Sequence, residues 1–322
     1  MTTGFVTHPL YLRHDTGPGH PERPERLTAL CDHLIRVGLR AEITSLETAG
    51  RPDLADWITQ VHRPSYYRLL QERVPRAGRI YLDPDTPCAP QSLAAAEMAV
   101  CGLLTTLDNI MAGSLRNAFC ALRPPGHHAE SDRAMGFCLL NNVAIGARYL
   151  QGRHRLSRIF IVDWDVHHGN GTQHIFYNDP NVFYFSTHQY PFYPGTGSSE
   201  ERGTGEGEGT TRNCPLAAGS GDREMLAQFE SSLASEVAAF RPDFILISAG
   251  FDAHRDDPLA QLAVSDAGFF EMTQIVVSLA ATHCNGRVVS CLEGGYHLDA
   301  LSRSVAQHIQ ALLAAPCYKQ EM

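Results

Sequence analysis

The sequence predicts an α/β protein in which a mostly parallel central sheet is covered by helices on both faces and folded as a single domain. Three observations lead there. Short, unbroken apolar runs recur along the chain: AFCAL (118–122), RIFIVD (158–163), NVFYFS (181–186), DFILISAG (243–250) and RVVSCLEGG (287–295). Strands covered on both faces read as continuous runs of this kind, whereas a half-exposed strand alternates. Between the runs lie segments of helical spacing, the order expected when helices cross over between parallel strands. Finally, no linker composition, low-complexity tract or internal repeat divides the 322 residues, so one domain is expected over 1–322, with only the last few residues as a flexible tail.

The helices follow in order. Leu27, Leu30, Cys31, Leu34 and Ile35 mark the first, after Pro21 and Pro24. Leu93, Val100, Leu103, Leu104, Leu107 and Met111 mark a second, and Met225, Leu226, Phe229, Leu233, Val237 and Phe240 a third. Leu298, Leu301, Val305, Ile309 and Leu312 mark the last. The N-terminus MTTGFVTHPLYL has neither a basic nor an apolar region of signal-peptide type, and no apolar run approaches membrane-spanning length. A net charge of −9 argues against a nucleic-acid partner, which would call for a basic stripe. The nine cysteines are odd in number and form no C-x-x-C pair, so they read as free thiols in a reducing cytoplasm.

In parallel sheets ligands bind beyond the carboxyl ends of the strands. The residues just after the five runs are RPPGHHAE, DWDVHHGNGT, STHQYPFYPGTG, GFDAHRDDP and EGGYHL, and each segment carries histidine, aspartate or tyrosine. In extended chain Asp163, Asp165 and His167 would share a face while Trp164 and Val166 point away. With Asp252 they form a carboxylate–imidazole set suited to zinc with a catalytic water, although such ligation leaves Fe²⁺ or Co²⁺ open. Asp163 is either a ligand or the partner that holds a histidine tautomer. The prolines of Arg123–His128 stiffen a loop presenting His127 and His128, a pair fit to exchange protons with an attacking water and a leaving amine. Tyr296, after Gly294 and Gly295, is placed to donate to a developing oxyanion.

These blocks resemble the histone deacetylase and acetylpolyamine amidohydrolase family, which shares its fold with arginase. RPPGHH, DWDVHHGNGTQ, FYPGTG, SAGFDAH and LEGGYHL occur in the family's order from about His20 to about Leu312. The resemblance implies a sheet of about eight strands and zinc held by Asp165, His167 and Asp252. His128 then matches the general base and acid, His127 its electrostatic partner oriented by Asp163, and Tyr296 the oxyanion donor. Phe137, beside Gly136, and Tyr193 match the aromatic walls of a tunnel for an acyl-lysine stem. A structural potassium is implied on the Asp163 side chain, the Ser186 hydroxyl and the carbonyls of Asp165, His167 and Thr187. Asp83 or Asp85 would grip substrate backbone.

Asn170, where many class I members carry aspartate, points with HPERPERL to the class II branch and its bacterial relatives, and leaves His128 without a carboxylate behind it. Leu259 stands where polyamine-selective members place an acidic gate. The expected activity is therefore removal of acetyl or other short acyl groups from lysine side chains, with acetylpolyamines as the alternative substrate and homo-oligomerisation left open. An arginase-type ureohydrolase would need further metal ligands, and an inactive acyl-lysine binder would not need the intact His128 and Tyr296. The glycines of 203–209 follow no apolar strand and open no helix, so they read as a flexible loop near the mouth of the site, not as a dinucleotide cradle.

Overall fold

The computed structural model describes residues 2–315; the expected tail, with Cys317, lies outside the described residues. Among the described residues the strands are β1 (Thr2–Val6), β2 (Thr44–Ser45), β3 (Ile80–Asp83), β4 (Thr86–Cys88), β5 (Leu115–Cys120), β6 (Ile159–Asp163), β7 (Val182–Gln189), β8 (Thr211–Leu216), β9 (Phe244–Ala249) and β10 (Val288–Leu292). Eight of them form one sheet in the order β2-β1-β5-β10-β9-β6-β7-β8, every neighbouring pair parallel. Strands β3 and β4 make a separate antiparallel hairpin.

The five apolar runs became β5, β10, β9, β6 and β7, which stand side by side at the centre of the sheet. The strands that no run announced, β2, β1 and β8, lie at or next to its edges. Strand β8 reads Thr-Arg-Asn-Cys-Pro-Leu, with Arg212 and Pro215 only half-buried, and β2 is exposed at both residues. A strand covered on one side needs no continuous apolar run, so its signal is weak.

Helix Glu25–Arg36 buries Leu27, Leu30 and Leu34 as expected, but Ile35 is 63% exposed because it faces outward from that stripe. The third expected helix is interrupted: Asp222–Gln228 and Ala234–Phe240 flank a π-helical turn, Phe229–Leu233, that buries both of its end residues. Two further helices start at side-chain caps. The Asn141 amide oxygen accepts from Ala144 N at 3.0 Å before Asn142–His154, and the Ser265 hydroxyl from Gly268 N at 3.1 Å before Asp266–His283. Helix Ser92–Met111 is, by length and composition alone, long and apolar enough to span a membrane, although polar residues such as Glu97 and Asp108 interrupt it. Most of its apolar window is nevertheless buried, and the helix packs against Asn142–His154 and β5, as a core helix does. Each of the eight described cysteines is a free thiol.

Topology sets the position of the site. From β6 the chain moves outward to β7, whereas from β9, its neighbour, it moves the other way to β10. Right-handed crossovers therefore leave the two strands toward opposite faces, and a crevice opens between their carboxyl ends. Strand β6 is anchored by Phe160, fully buried, whose ring stacks on Phe183 at 4.7 Å and meets Phe240 edge-on at 5.9 Å. Phe160→Ala should lower unfolding free energy by about 3–5 kcal/mol, read by urea denaturation; a loss under about 1 kcal/mol would mean the ring is not a core anchor.

Candidate metal centre and cleft

Strand β6 ends at Asp163, and Asp165–His167 run through bends, not in the extended chain that the alternation assumed. Carboxylate–backbone hydrogen bonds shape the turn: Asp165 N donates to Asp163 Oδ1 at 3.2 Å, and His167 N to Asp165 Oδ1 at 2.9 Å. Trp164 still turns away, its ring buried against Phe229 and His308. Asp252, from the loop after β9, accepts from Val166 N at 2.9 Å, which ties the two strand ends together.

One donor atom each from Asp165, His167 and Asp252 lies within 4.8 Å of the others. His167 Nδ1 is 3.1 Å from Asp165 Oδ1 and 3.3 Å from Asp252 Oδ2. Asp252 Oδ2 is buried without a hydrogen bond, a costly condition that a cation would relieve. A Cβ on Gly294 would collide with Asp252 and lie 2.6 Å from Asp165 Oδ2, so this glycine keeps the space beside both carboxylates free. Two acidic oxygens and an imidazole nitrogen, one oxygen orphaned, fit a divalent zinc-type ion. Asp163 is not in the cluster. It accepts from His127 Nδ1 and from Tyr184 Oη, both at 3.0 Å.

Electrostatics separates the tandem histidines, whose rings are 4.0 Å apart. Burial disfavours a charged His127, but Asp163 and Asp165 outweigh it and push the group up to about 10. Burial holds His128 well below its ordinary value, and the charges of His127 and His167 add to the effect. Burial and the neighbouring Asp165 charge push Asp252 up to about 7. His167 rises to about 10 despite burial, through its contacts with Asp165 and Asp252, so within the protein's own charges its imidazolium supplies the cation the carboxylates require. Burial raises the Tyr296 phenol well above its ordinary value, which keeps it a hydrogen-bond donor.

A cavity of about 100 Å³ adjoins the cluster through His167 and is lined by Asp85, His128, Gly136, Phe137, Tyr193, Leu259 and Tyr296. Of the two candidate loop aspartates it is Asp85 that reaches the cavity. Its Oδ1 accepts from Gly136 N at 3.1 Å, while Asp83 stays at the end of β3. Phe137 is held in left-handed backbone (φ 68°), and its N donates to the Thr86 hydroxyl at 3.1 Å. Ser186 lies opposite Asp163 in the β6–β7 register, and its hydroxyl is 2.8 Å from His188 Nδ1; Thr187 follows it on β7 with its hydroxyl buried and unpartnered. The 203–209 glycines are elsewhere. Thr204 N donates to Tyr177 O and Glu206 N to the Asn178 side chain, so the loop packs on the end of helix Asn170–Phe176 and contributes nothing to the cleft lining.

Several contributors escaped the sequence reading because they act across long stretches of chain. Glu293 Oε2 accepts from Gly126 N at 2.6 Å and His127 N at 3.1 Å, fixing the histidine loop to the end of β10. Asp257 Oδ1 accepts from Leu259 N at 3.0 Å, and its Oδ2 accepts from Tyr296 N at 2.7 Å and His297 N at 3.3 Å. Glu130 stands behind Asn170, at 2.8 Å.

Fold and cleft together define a hydrolase of the deacetylase class. The chain belongs to the histone deacetylase family: the family's histone deacetylase domain matches residues 20–312. Among relatives, a probable deacetylase of Archaeoglobus fulgidus is 42% identical, covering 93% of this chain and 82% of that protein. The chloroplastic histone deacetylase 10 of Oryza sativa subsp. japonica is 41% identical over 92% of this chain and 70% of its own length. The crystal structure of the HDA15 HD domain superposes with a TM-score of 0.91 at 36% identity, covering 98% of this chain and 89% of that one.

The raised histidines carry a stability signature. His127 and His167 titrate near 10 in the folded protein against 6.5 ordinarily, so their contribution is complete below about 6.5 and disappears as pH rises through about 10. Asp252, raised toward 7, adds a change of the same sign at lower pH. Metal-stripped protein should therefore show a falling Tm over that interval, and His167→Gln should flatten the fall. A Tm that climbs with pH would contradict the assigned charge states.

Proposed function

We propose that this protein is a zinc-dependent lysine deacylase, removing acetyl or another short acyl group from lysine side chains of peptides and proteins. The observation that carries the reading is the Asp165–His167–Asp252 cluster, with its orphaned carboxylate oxygen, adjoining a narrow cavity that the phenol of Tyr296 also lines. Zinc bound there would supply a Lewis acid that polarises the acyl carbonyl and acidifies an attacking water.

The chain's own residues do the rest. His128 Nδ1–H donates a hydrogen bond to Asn170 Oδ1 at 2.8 Å, which leaves the lone pair on Nε2 to take a proton from water. His127, charged and paired with Asp163, supports the negative charge that builds during attack. Tyr296 donates its hydroxyl proton toward the acyl oxygen as that charge develops. His128, or His127, then returns a proton to the departing lysine amine. Phe137 and Tyr193 flank the stem, and apolar walls suit an unbranched methylene chain. Asp85, at the cavity, takes the role of gripping substrate backbone. Leu259 lines the cavity where an acidic side chain would be needed to pair with a polyamine ammonium, and this favours lysine. The expected potassium rests on the family resemblance and on the adjacency of Asp163 and Ser186. Seven of the eight described cysteines are buried free thiols, which supports a reducing compartment such as the cytoplasm.

A turnover panel crossing acetyl, longer acyl and trifluoroacetyl groups with lysine peptides and polyamines tests the proposal. Lysine substrates should be turned over, chelation should abolish the reaction and added zinc should restore it. Full activity after metal removal, or a clear preference for acylated polyamines, would sink it. Tyr296→Phe should lower kcat by roughly 10²–10³, about 2.7–4 kcal/mol, with little change in KM; unchanged kcat would remove Tyr296 from the mechanism.

A further inference from the structure

Behind the tandem histidines a line of contacts ends on an acid that the mechanism above does not use. His128 Nδ1 lies 2.8 Å from Asn170 Oδ1, and Asn170 Nδ2 lies 2.8 Å from Glu130 Oε1 and 3.3 Å from the Met135 sulfur. Glu130 is only 7% exposed. Its carboxylate also receives Arg133 at 2.9 Å on Oε1 and His174 at 2.7 Å on Oε2, two side chains that reach solvent.

An asparagine amide has nearly the same shape either way round, so its neighbours decide which end faces the histidine. A carboxylate can only accept. Glu130 therefore holds the Nδ2 end of Asn170, and the Met135 sulfur, a weak acceptor, agrees with that orientation. Oδ1 is left facing His128 and requires a proton on Nδ1, so the lone pair stays on Nε2. The same geometry accounts for the asparagine itself. Aspartate at 170 would set two carboxylates against each other across the 2.8 Å now spanned by the amide hydrogen bond.

We propose that Glu130 is a positioning residue for deacylation: by fixing the amide orientation of Asn170 it sets the tautomer of His128. The inference rests on the reading of His128 as the proton acceptor given above. Glu130 and Asn170 then work as a unit, with the carboxylate one residue further from the histidine than in a protein that carries aspartate at position 170.

Exchanging the two groups tests this. Asn170→Asp should lower kcat by about 10–100-fold on an acetyl-lysine peptide, the usual cost of disturbing a group that orients a catalytic one. The double variant Asn170→Asp/Glu130→Gln should regain most of that loss, because the glutamine amide now donates to Asp at 170, which accepts from His128 Nδ1. KM should stay near its original value throughout, since neither residue touches the cavity. Thermal melts of all variants separate folding losses from kinetic ones, and a purely structural role predicts cumulative damage with no recovery. A double variant no faster than Asn170→Asp, or a Glu130→Ala protein with unchanged kcat, would overturn the proposal. His128→Ala, run alongside, tests the underlying reading: if it keeps full turnover, His128 is not the base, whatever the exchange shows.

Discussion

Two carboxylates, Asp165 and Asp252, are buried within reach of one imidazole, and the carboxyl ends of β6 and β9 are organised around that fact. Charges of like sign in a dry crevice demand a counter-charge. Backbone amides of Val166, His167 and Gly294 satisfy three of their four oxygen positions, and the fourth, Asp252 Oδ2, remains open toward His167. The strands that carry these groups are central in the sheet and among the most apolar in the chain, so the rigid core bears the cost of holding them close.

From that cluster the charge pattern spreads outward. Asp163 stabilises a protonated His127, while burial keeps its neighbour His128 neutral and the charge on His127 adds to that effect. Two identical side chains, consecutive in sequence, thus acquire opposite tendencies from what lies beside each ring. Pairs of titratable groups driven apart by their surroundings are what acid and base assignments require.

How much of this was legible beforehand follows from what each residue touches. The central strands could be read because burial on both faces leaves an unbroken apolar run; β2 and β8 could not, because edge strands are only partly covered, and β1, though mostly buried, reads Thr-Thr-Gly-Phe-Val and offers no apolar run. Asp165, His167, Asp252, His128 and Tyr296 all follow runs that became central strands, so their positions drew attention to them, and the family resemblance supplied their individual roles. Glu130, Glu293 and Asp257 act on backbone or amide groups up to 167 positions away, and such partnerships leave no spacing to read. The tandem-histidine loop shows the limit clearly. Its two imidazoles are evident in the sequence, but Asn170 alone implies a histidine without acidic support, whereas in the fold Glu130 stands behind it.

Asp257 has a bearing on how substrate preference can diversify. It holds position 259 by the main-chain amide and leaves the side chain there free to differ, while its other oxygen secures the main chain of Tyr296. Exchanges at 259 can therefore remodel the cleft wall without unsettling Tyr296, the proposed oxyanion donor. Under the proposed function, selectivity and chemistry share one support yet remain separately adjustable, an arrangement that would let a lineage explore new acyl amines while its hydrolytic apparatus stays intact.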